Sequence, residues 1–164
     1  MPALLEIEDL KVEFDTWDGR VRVLDGVSLS VEAGQTLGIV GESGSGKSLT
    51  ARSLLKLLPG NAVLSADRLD FDGVDVLGAD ERAMRAIRGK RAGLIMQDPK
   101  FSLNPVRTAG AQIAEAMQVH GASDKDTTSA RVVELLDLVG IPDPAARADQ
   151  YPHEYSGGMR QRAM

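Results

Sequence analysis

The sequence has 164 residues, with 19 Lys and Arg against 24 Asp and Glu, which gives a formal net charge of −5, and it contains no cysteine. This length predicts one domain with room for an insertion, and the acidic balance disfavours a nucleic-acid partner. The absence of cysteine excludes disulfides, thiolate metal sites and a cysteine nucleophile, and no apolar run is long enough for a membrane span.

The first third of the chain is predicted to consist mainly of strands. Residues 5–14 alternate between apolar and polar, and residues 21–29 indicate further extended chain with a turn at Asp25-Gly26. Residues 36–40 are apolar and uncharged, which is typical of a strand buried on both faces in a parallel sheet. Residues 47–58 carry leucines at helical spacing and precede Pro59-Gly60, so a helix is expected there.

The next segment is predicted to hold a hairpin, a helix and a strand. Residues 68–76 alternate and are interrupted at Gly73 and Gly78, which favours a hairpin. Residues 80–88 predict a short charged helix. Residues 92–96 predict a second compact apolar strand.

The pattern becomes mostly helical over residues 99–155. Residues 108–120 carry apolar side chains at helical spacing. Ser123, with Asp126 three residues later, resembles a capping box that opens another helix, which should end before Gly140. We therefore expect a helical block after the strand-rich segment.

A phosphate-binding loop is predicted at residues 41–48, which read Gly-Glu-Ser-Gly-Ser-Gly-Lys-Ser. Glycines allow positive φ angles and bring backbone N–H groups close to phosphate oxygens at a helix N-terminus. Lys47 supplies a mobile positive charge for the β- and γ-phosphates, and the Ser48 hydroxyl can bind Mg²⁺. The glycines of the pattern are Gly41, Gly44 and Gly46.

A second motif occurs at residues 155–162, which read Tyr-Ser-Gly-Gly-Met-Arg-Gln-Arg. Ser156 is a good helix N-cap, and the two glycines leave this helix end open to an anion. Taken alone, Ser-Gly-Gly is equally typical of a flexible turn.

With both motifs, the sequence resembles the ATP-binding subunits of ABC transporters, whose signature is commonly Leu-Ser-Gly-Gly-Gln; Tyr155 and Met159 depart from it. Five segments are similar to the dipeptide/oligopeptide (and nickel) importer branch: the ending Gly-Gly-Met-Arg-Gln-Arg and residues 38–48, 87–91, 96–99 and 102–105. The resemblance implies an α/β fold with a P-loop NTPase core of the ABC type, N-terminal antiparallel strands and an inserted helical subdomain.

The resemblance also implies a division of the chain and of its roles. Residues 1–98 would form the nucleotide-binding core, 99–155 the helical subdomain and 156–164 the start of the signature helix. ATP and Mg²⁺ would be bound, with Lys47 and Gln97 as catalytic residues and Ser48 and Gln97 as metal ligands. The nucleotide-binding residues so implied are Trp17, Gly41, Ser43, Gly44, Ser45, Gly46, Lys47, Ser48, Leu49, Ser156, Gly157, Gly158 and Met159. Trp17 is the candidate for stacking on adenine, with Phe14 or a neighbouring aliphatic side chain as the alternative.

The partners implied by the family are a second ATP-binding subunit and a membrane permease, at the cytoplasmic face of the membrane. Two subunits would pair head to tail, so that residues 156–158 bind the nucleotide held by the partner. The helical block near Gln97 and residues 101–105 would transmit closure of this dimer to the permease.

The carboxylates that the family uses for hydrolysis are not found in this sequence. No run of four aliphatic residues followed by Asp-Glu occurs, and His120 and His153 are misplaced for the family's switch histidine, so we expect structural or surface roles for both. By family the protein would be an ATP hydrolase, but we expect this chain to be a fragment or shortened product that is deficient in hydrolysis. We also expect it to be only marginally stable alone, because the strands ending at Val40 and Met96 would lack neighbouring strands.

Two alternatives remain open. One is a non-catalytic nucleotide-binding or interaction module. The other is an ABC-type ATPase of DNA repair or chromosome organisation, which the short spacing between the motifs disfavours because it leaves no room for a long coiled coil.

Overall fold

The computed structural model describes residues 3–96, 102–119, 121 and 125–164, and the chain forms two compact units, Met1–Ala92 and Gly93–Met164. Each unit has a buried apolar core of its own. That of the first unit contains Ile7, Leu10, Val12, Leu24, Leu55, Leu69, Val76, Met84 and Ile87.

The first unit is built on an antiparallel sheet with β1 (Leu5–Thr16) at its centre. β2 (Gly19–Val31) pairs along one side of β1. On the other side, β3 (Ala62–Ser65) pairs with one half of β1 and β4 (Arg68–Phe71) with the other half, and β5 (Val74–Asp75) follows β4. The strand predicted at residues 5–14 is confirmed, whereas the four-residue β3 is too short to show alternation and is missed by the sequence analysis.

The turn expected at Asp25-Gly26 is wrong, because β2 continues through these residues. Gly26 has a φ of +79° and Asp9 on β1 a φ of +52°, and the pairing of β1 with β2 shifts register beyond Ile7. The Asp9 N–H donates to Ser28 Oγ at 3.0 Å. The glycine therefore serves a β-bulge, which keeps the strand intact while it twists.

The hairpin expected at residues 68–76 is confirmed as β4 and β5. Asp72 and Gly73 both have positive φ, of +52° and +77°, as a two-residue type I′ turn requires. The helix expected at residues 80–88 is also confirmed as α2 (Glu81–Ile87), whose N-cap Asp80 accepts from the Ala83 N–H at 2.7 Å.

The helix after the predicted phosphate-binding loop, α1 (Lys47–Leu54), ends four residues earlier than expected. Its buried residues are Thr50 and Ser53 rather than the predicted leucine face. Each hydroxyl donates to the carbonyl four residues back, at 3.1 and 2.8 Å respectively, so both polar groups are satisfied in the interior.

The strands predicted at residues 36–40 and 92–96 are absent from the structure. Among the described residues no strand pairs with either segment, apart from an isolated bridge between Ala92 and Arg88. The side chains of Val40 and Ile95 are 93% and 82% exposed. Both predictions fail for the same reason: a doubly buried strand exists only between neighbouring strands.

An open apolar cavity of about 270 Å³ is lined by Leu5, Ile7, Leu29, Val31, Leu37, Ile39, Thr50, Ala51 and Leu54.

The second unit is helical. It contains α3 (Ala109–Val119), α4 (Lys125–Leu138), α5 (Pro144–Ala148), a 3₁₀ turn (Pro152–Glu154) and α6 (Gly157–Ala163). These confirm the helical block, while the predicted capping box involves Ser123, which lies outside the described residues. The core comprises Ala109, Val132, Leu136, Ile141, Tyr155 and Met159. None of the helices in the described parts of the chain is long and apolar enough to cross a bilayer.

Candidate nucleotide-binding site

The loop of residues 41–46 is shaped by glycine at a position where a side chain would not fit. Gly46 has a φ of +91°, and a Cβ placed on it would stand 2.3 Å from Cδ2 of Leu24. Leu24 lies on β2 and is only 3% exposed, so its methyl group has little freedom to move away. The loop therefore packs directly on the sheet, a constraint that the sequence motif does not reveal.

The Lys47 ammonium donates hydrogen bonds to three oxygen atoms of the loop that precedes it. Nζ donates to the carbonyl of Gly41 at 2.7 Å, to that of Glu42 at 2.6 Å and to Ser45 Oγ at 3.1 Å. This arrangement places a positive charge against the backbone of residues 41–45, which are exposed. Positive charge beside open backbone amides suits a polyphosphate.

The N-terminus of α1 has no competing acceptor of its own. Gly46 is the N-cap, so no side chain accepts from the first helical N–H groups, and the first turn contains no acidic residue. Uncapped N–H groups and the positive end of the helix dipole favour an anion at this position. The donor set of the loop therefore fits a phosphate group.

The structure describes one of the two predicted metal ligands. The Ser48 side chain belongs to the first turn of α1 and is exposed, whereas Gln97 lies outside the described residues. In the described part of the chain, no three His, Asp or Glu side chains cluster as a metal site. A hydroxyl beside bound phosphates fits Mg²⁺, which usually keeps several waters and takes few protein ligands.

The aromatic candidates for adenine lie on the β1–β2 hairpin of the same unit. Trp17 lies in the turn between the strands and is 93% exposed. Phe14 is half-buried on β1, where it pairs with Val21 of β2 and Ala62 of β3.

The second motif begins a helix in the second unit, as the sequence predicts. Ser156 is the N-cap of α6, and its Oγ accepts from the Met159 N–H at 3.2 Å. Gly157 and Gly158 are exposed, while the Met159 side chain is buried in the helical core. The two glycines and the serine thus stay accessible while the methionine anchors the turn.

Two side chains hold this motif on the helical unit, and neither role is evident from sequence. Tyr155 is buried, and its hydroxyl donates to the Arg147 carbonyl on α5 at 2.7 Å. Burial raises the pKa of the Tyr155 phenol. Arg162 Nη1 donates to the carbonyls of Val139, at 3.2 Å, and of Gly140, both just beyond α4. His153 is exposed and stacks on Tyr151 at 5.7 Å between ring centres, and His120 lies outside the described residues.

Comparison with known proteins gives consistent matches. The family model described as ABC transporter matches residues 24–164. The oligopeptide transport ATP-binding protein OppD of Bacillus subtilis is 46% identical over 98% of this chain and 45% of its own length. The dipeptide transport ATP-binding protein DppD of Escherichia coli is 44% identical over 99% of this chain and 50% of its own length. This chain therefore spans about half the length of the curated relatives it matches.

A solved structure described as the dimeric form of the bacterial ABC transporter cassette MJ0796 superposes with a TM-score of 0.82, covering 97% of this chain and 66% of that one at 22% identity. A second structure of that cassette, described as a post-hydrolysis state bound to ADP and Pi, gives a TM-score of 0.77 at the same identity. The fold is therefore the expected α/β ABC ATPase fold. Because the family model covers most of the sequence and includes both motifs, this chain belongs to the ABC transporter ATP-binding family.

Proposed function

We propose that this chain is the ATP-binding portion of a peptide-importer ATPase subunit, and that it binds Mg·ATP through residues 41–48. The observation that carries the proposal is the loop itself: an uncapped helix N-terminus with the Lys47 ammonium held beside open backbone. Peptide as the transported solute is supported by the names of the relatives, which are oligopeptide and dipeptide transport proteins.

Lys47 would change partners when the nucleotide binds. Its ammonium donates to two neutral carbonyls and one hydroxyl of the loop. Phosphate oxygens are stronger acceptors because they carry formal charge, so the exchange favours the bound state. The Ser48 hydroxyl would contact Mg²⁺, which supplies charge neutralisation for the phosphates. Gln97 keeps its proposed role at the metal and the attacking water from the family resemblance.

The exposed Ser156, Gly157 and Gly158 would bind the nucleotide held by a second subunit. ATP between two subunits favours their closed pairing, and hydrolysis removes the contacts that bridge them. The helical unit would pass this change to a membrane permease at the cytoplasmic face. We propose that the 164-residue chain alone binds ATP but turns it over poorly, because the carboxylates expected for hydrolysis are not in its sequence.

Calorimetric titration of the folded 164-residue chain with Mg·ATP tests the proposal. The Lys47→Ala variant should bind roughly 10- to 100-fold more weakly, as expected for loss of a charge-assisted hydrogen bond worth about 1.5–3 kcal/mol. Lys90→Ala is the matched control, since Lys90 is exposed on the segment after α2. The proposal would be refuted if the folded parent chain took up no ATP.

A phosphate-release assay tests the second part of the proposal. The isolated chain should release phosphate at the background rate. Steady release that Lys47→Ala abolishes would show that the chain has the hydrolytic machinery after all.

A further inference from the structure

The end of the phosphate-binding helix α1 has an unusual backbone. The Lys56 N–H donates to the Ser53 carbonyl at 3.0 Å and the Leu57 N–H to the Arg52 carbonyl at 2.9 Å. This pair of bonds is a Schellman motif, in which the residue at the Lys56 position is left-handed and normally glycine. Lys56 has a φ of +49°. A side chain is disfavoured in this conformation, so its presence needs a compensating interaction.

The Lys56 side chain provides that interaction. Its Nζ donates to the carbonyls of Leu77 and Ala79, both at 2.8 Å. These carbonyls belong to the connection between β5 and α2, which is itself held by Asp75, whose carboxylate accepts from the Leu77 and Gly78 N–H groups at 3.0 and 3.2 Å. The ammonium therefore joins the end of α1 to a fixed turn.

Arg88 makes a second connection at the same helix end. Its Nε donates to the Leu55 carbonyl at 2.7 Å, and its Nη1 contacts both carboxylate oxygens of Glu81 at 2.9 and 3.1 Å. The Leu55 carbonyl is one of those that a helix C-terminus leaves without a helical partner. We call Lys56 and Arg88 together the α1 clamp.

The α1 clamp matters because α1 is short. Eight residues span about 12 Å, and a helix of this length is not stable by itself. Its position is fixed by Gly46 against Leu24 at one end and by the α1 clamp at the other. A helix held at both ends presents its N-terminal N–H groups and Lys47 in one orientation.

We propose that Lys56 and Arg88 are positioning residues for nucleotide binding, which hold α1 so that the loop of residues 41–48 meets the phosphates correctly. This inference rests on the proposed function of that loop. Neither residue belongs to the phosphate-binding motif, and each acts on the nucleotide only through α1. A misplacement of about 1 Å costs an enzyme up to about 100-fold in rate, and we expect the contacts between the loop and the phosphates to depend on placement in the same way.

The test compares two substitutions at one position. Lys56→Met removes both hydrogen bonds and keeps the disfavoured backbone, whereas Lys56→Gly removes both bonds and relieves the backbone. Both variants should bind Mg·ATP about tenfold more weakly than the parent chain, although Lys56→Gly should unfold at a higher urea concentration than Lys56→Met. Lys56→Arg, which keeps a donor, should stay within about twofold of the parent, and Lys90→Met is the control for charge.

The outcomes separate positioning from mere stability. If affinity follows the urea midpoint, so that Lys56→Gly binds ATP like the parent, the inference is overturned. Unchanged affinity in both variants overturns it as well. A parent chain that binds no ATP would instead refute the proposed function on which the inference rests.

Discussion

Substitution of Gly46 by alanine should damage the phosphate loop in two separable ways. The first is backbone strain, because a φ of +91° is disfavoured for alanine by about 1–2 kcal/mol. The second is steric, because the added Cβ would stand 2.3 Å from the buried Leu24 side chain. Overpacking of this kind costs about 1–3 kcal/mol, so Gly46→Ala should destabilise the chain by about 2–5 kcal/mol in total.

Gly44→Ala is the matched control for the first effect. Gly44 has a φ of +85°, but a Cβ there would meet no atom within 4 Å. Its cost should therefore be limited to the backbone strain, about 1–2 kcal/mol. The difference between the two variants isolates the contact with Leu24.

Urea unfolding followed by circular dichroism gives the free energy of unfolding of both variants and of the parent. Titration with Mg·ATP then asks whether the remaining folded protein binds nucleotide. Gly46→Ala should lose both stability and ATP affinity, and Leu24→Ala added to it should recover part of the loss through a favourable coupling. Equal free energies of unfolding for Gly44→Ala and Gly46→Ala would refute the argument that the loop is packed on Leu24.

Two further predictions concern the aromatic residues. Tyr155→Phe should lower the free energy of unfolding by about 1 kcal/mol, because it removes the hydroxyl that donates to the Arg147 carbonyl. The pKa of Tyr155 in the folded chain is raised above its ordinary value of 10.0, so the parent should lose stability as the pH rises past that value. Tyr155→Phe should lose less free energy of unfolding over the same pH range. Equal losses of the two proteins in urea unfolding would contradict this. Trp17 is the only tryptophan, so Mg·ATP should quench the intrinsic fluorescence if Trp17 stacks on adenine. Calorimetric binding with unchanged emission would exclude Trp17 and leave Phe14 or a neighbouring aliphatic side chain as the candidate for that role.

The phosphate loop is recognised in the sequence because its chemistry constrains residue types at fixed spacing, and its role in nucleotide binding stays a prediction. A loop whose amides approach an anion needs glycine, and the following helix needs a lysine and a hydroxyl at its start. These requirements are local, so Gly46, Lys47 and Ser48 can be recognised from the sequence alone. Likewise Ser156 is recognisable as an N-cap because capping is decided within one helical turn.

The errors concern structure that depends on distant partners. Residues 36–40 have the composition of a buried strand, yet composition does not say whether a neighbouring strand is present, and among the described residues none pairs with them. Asp25-Gly26 has the composition of a turn, yet Asp9 on the opposite strand makes it a bulge. Leu58 continues the apolar spacing of α1, while Lys56 ends the helix through a backbone conformation that lysine rarely adopts.

In both motifs, exposed residues are open to a ligand while other residues fix their position. In the first unit Lys47 and the loop glycines are available to a ligand, while Leu24 and the α1 clamp fix them from within the same unit. In the second unit the glycines after Ser156 are open, while Tyr155 fixes the start of α6 from the helical core. The residues that would touch a nucleotide are those a motif search finds, and the residues that orient them are identified only by their contacts. Substitution of an orienting residue should therefore change nucleotide affinity in a chain whose two motifs remain intact.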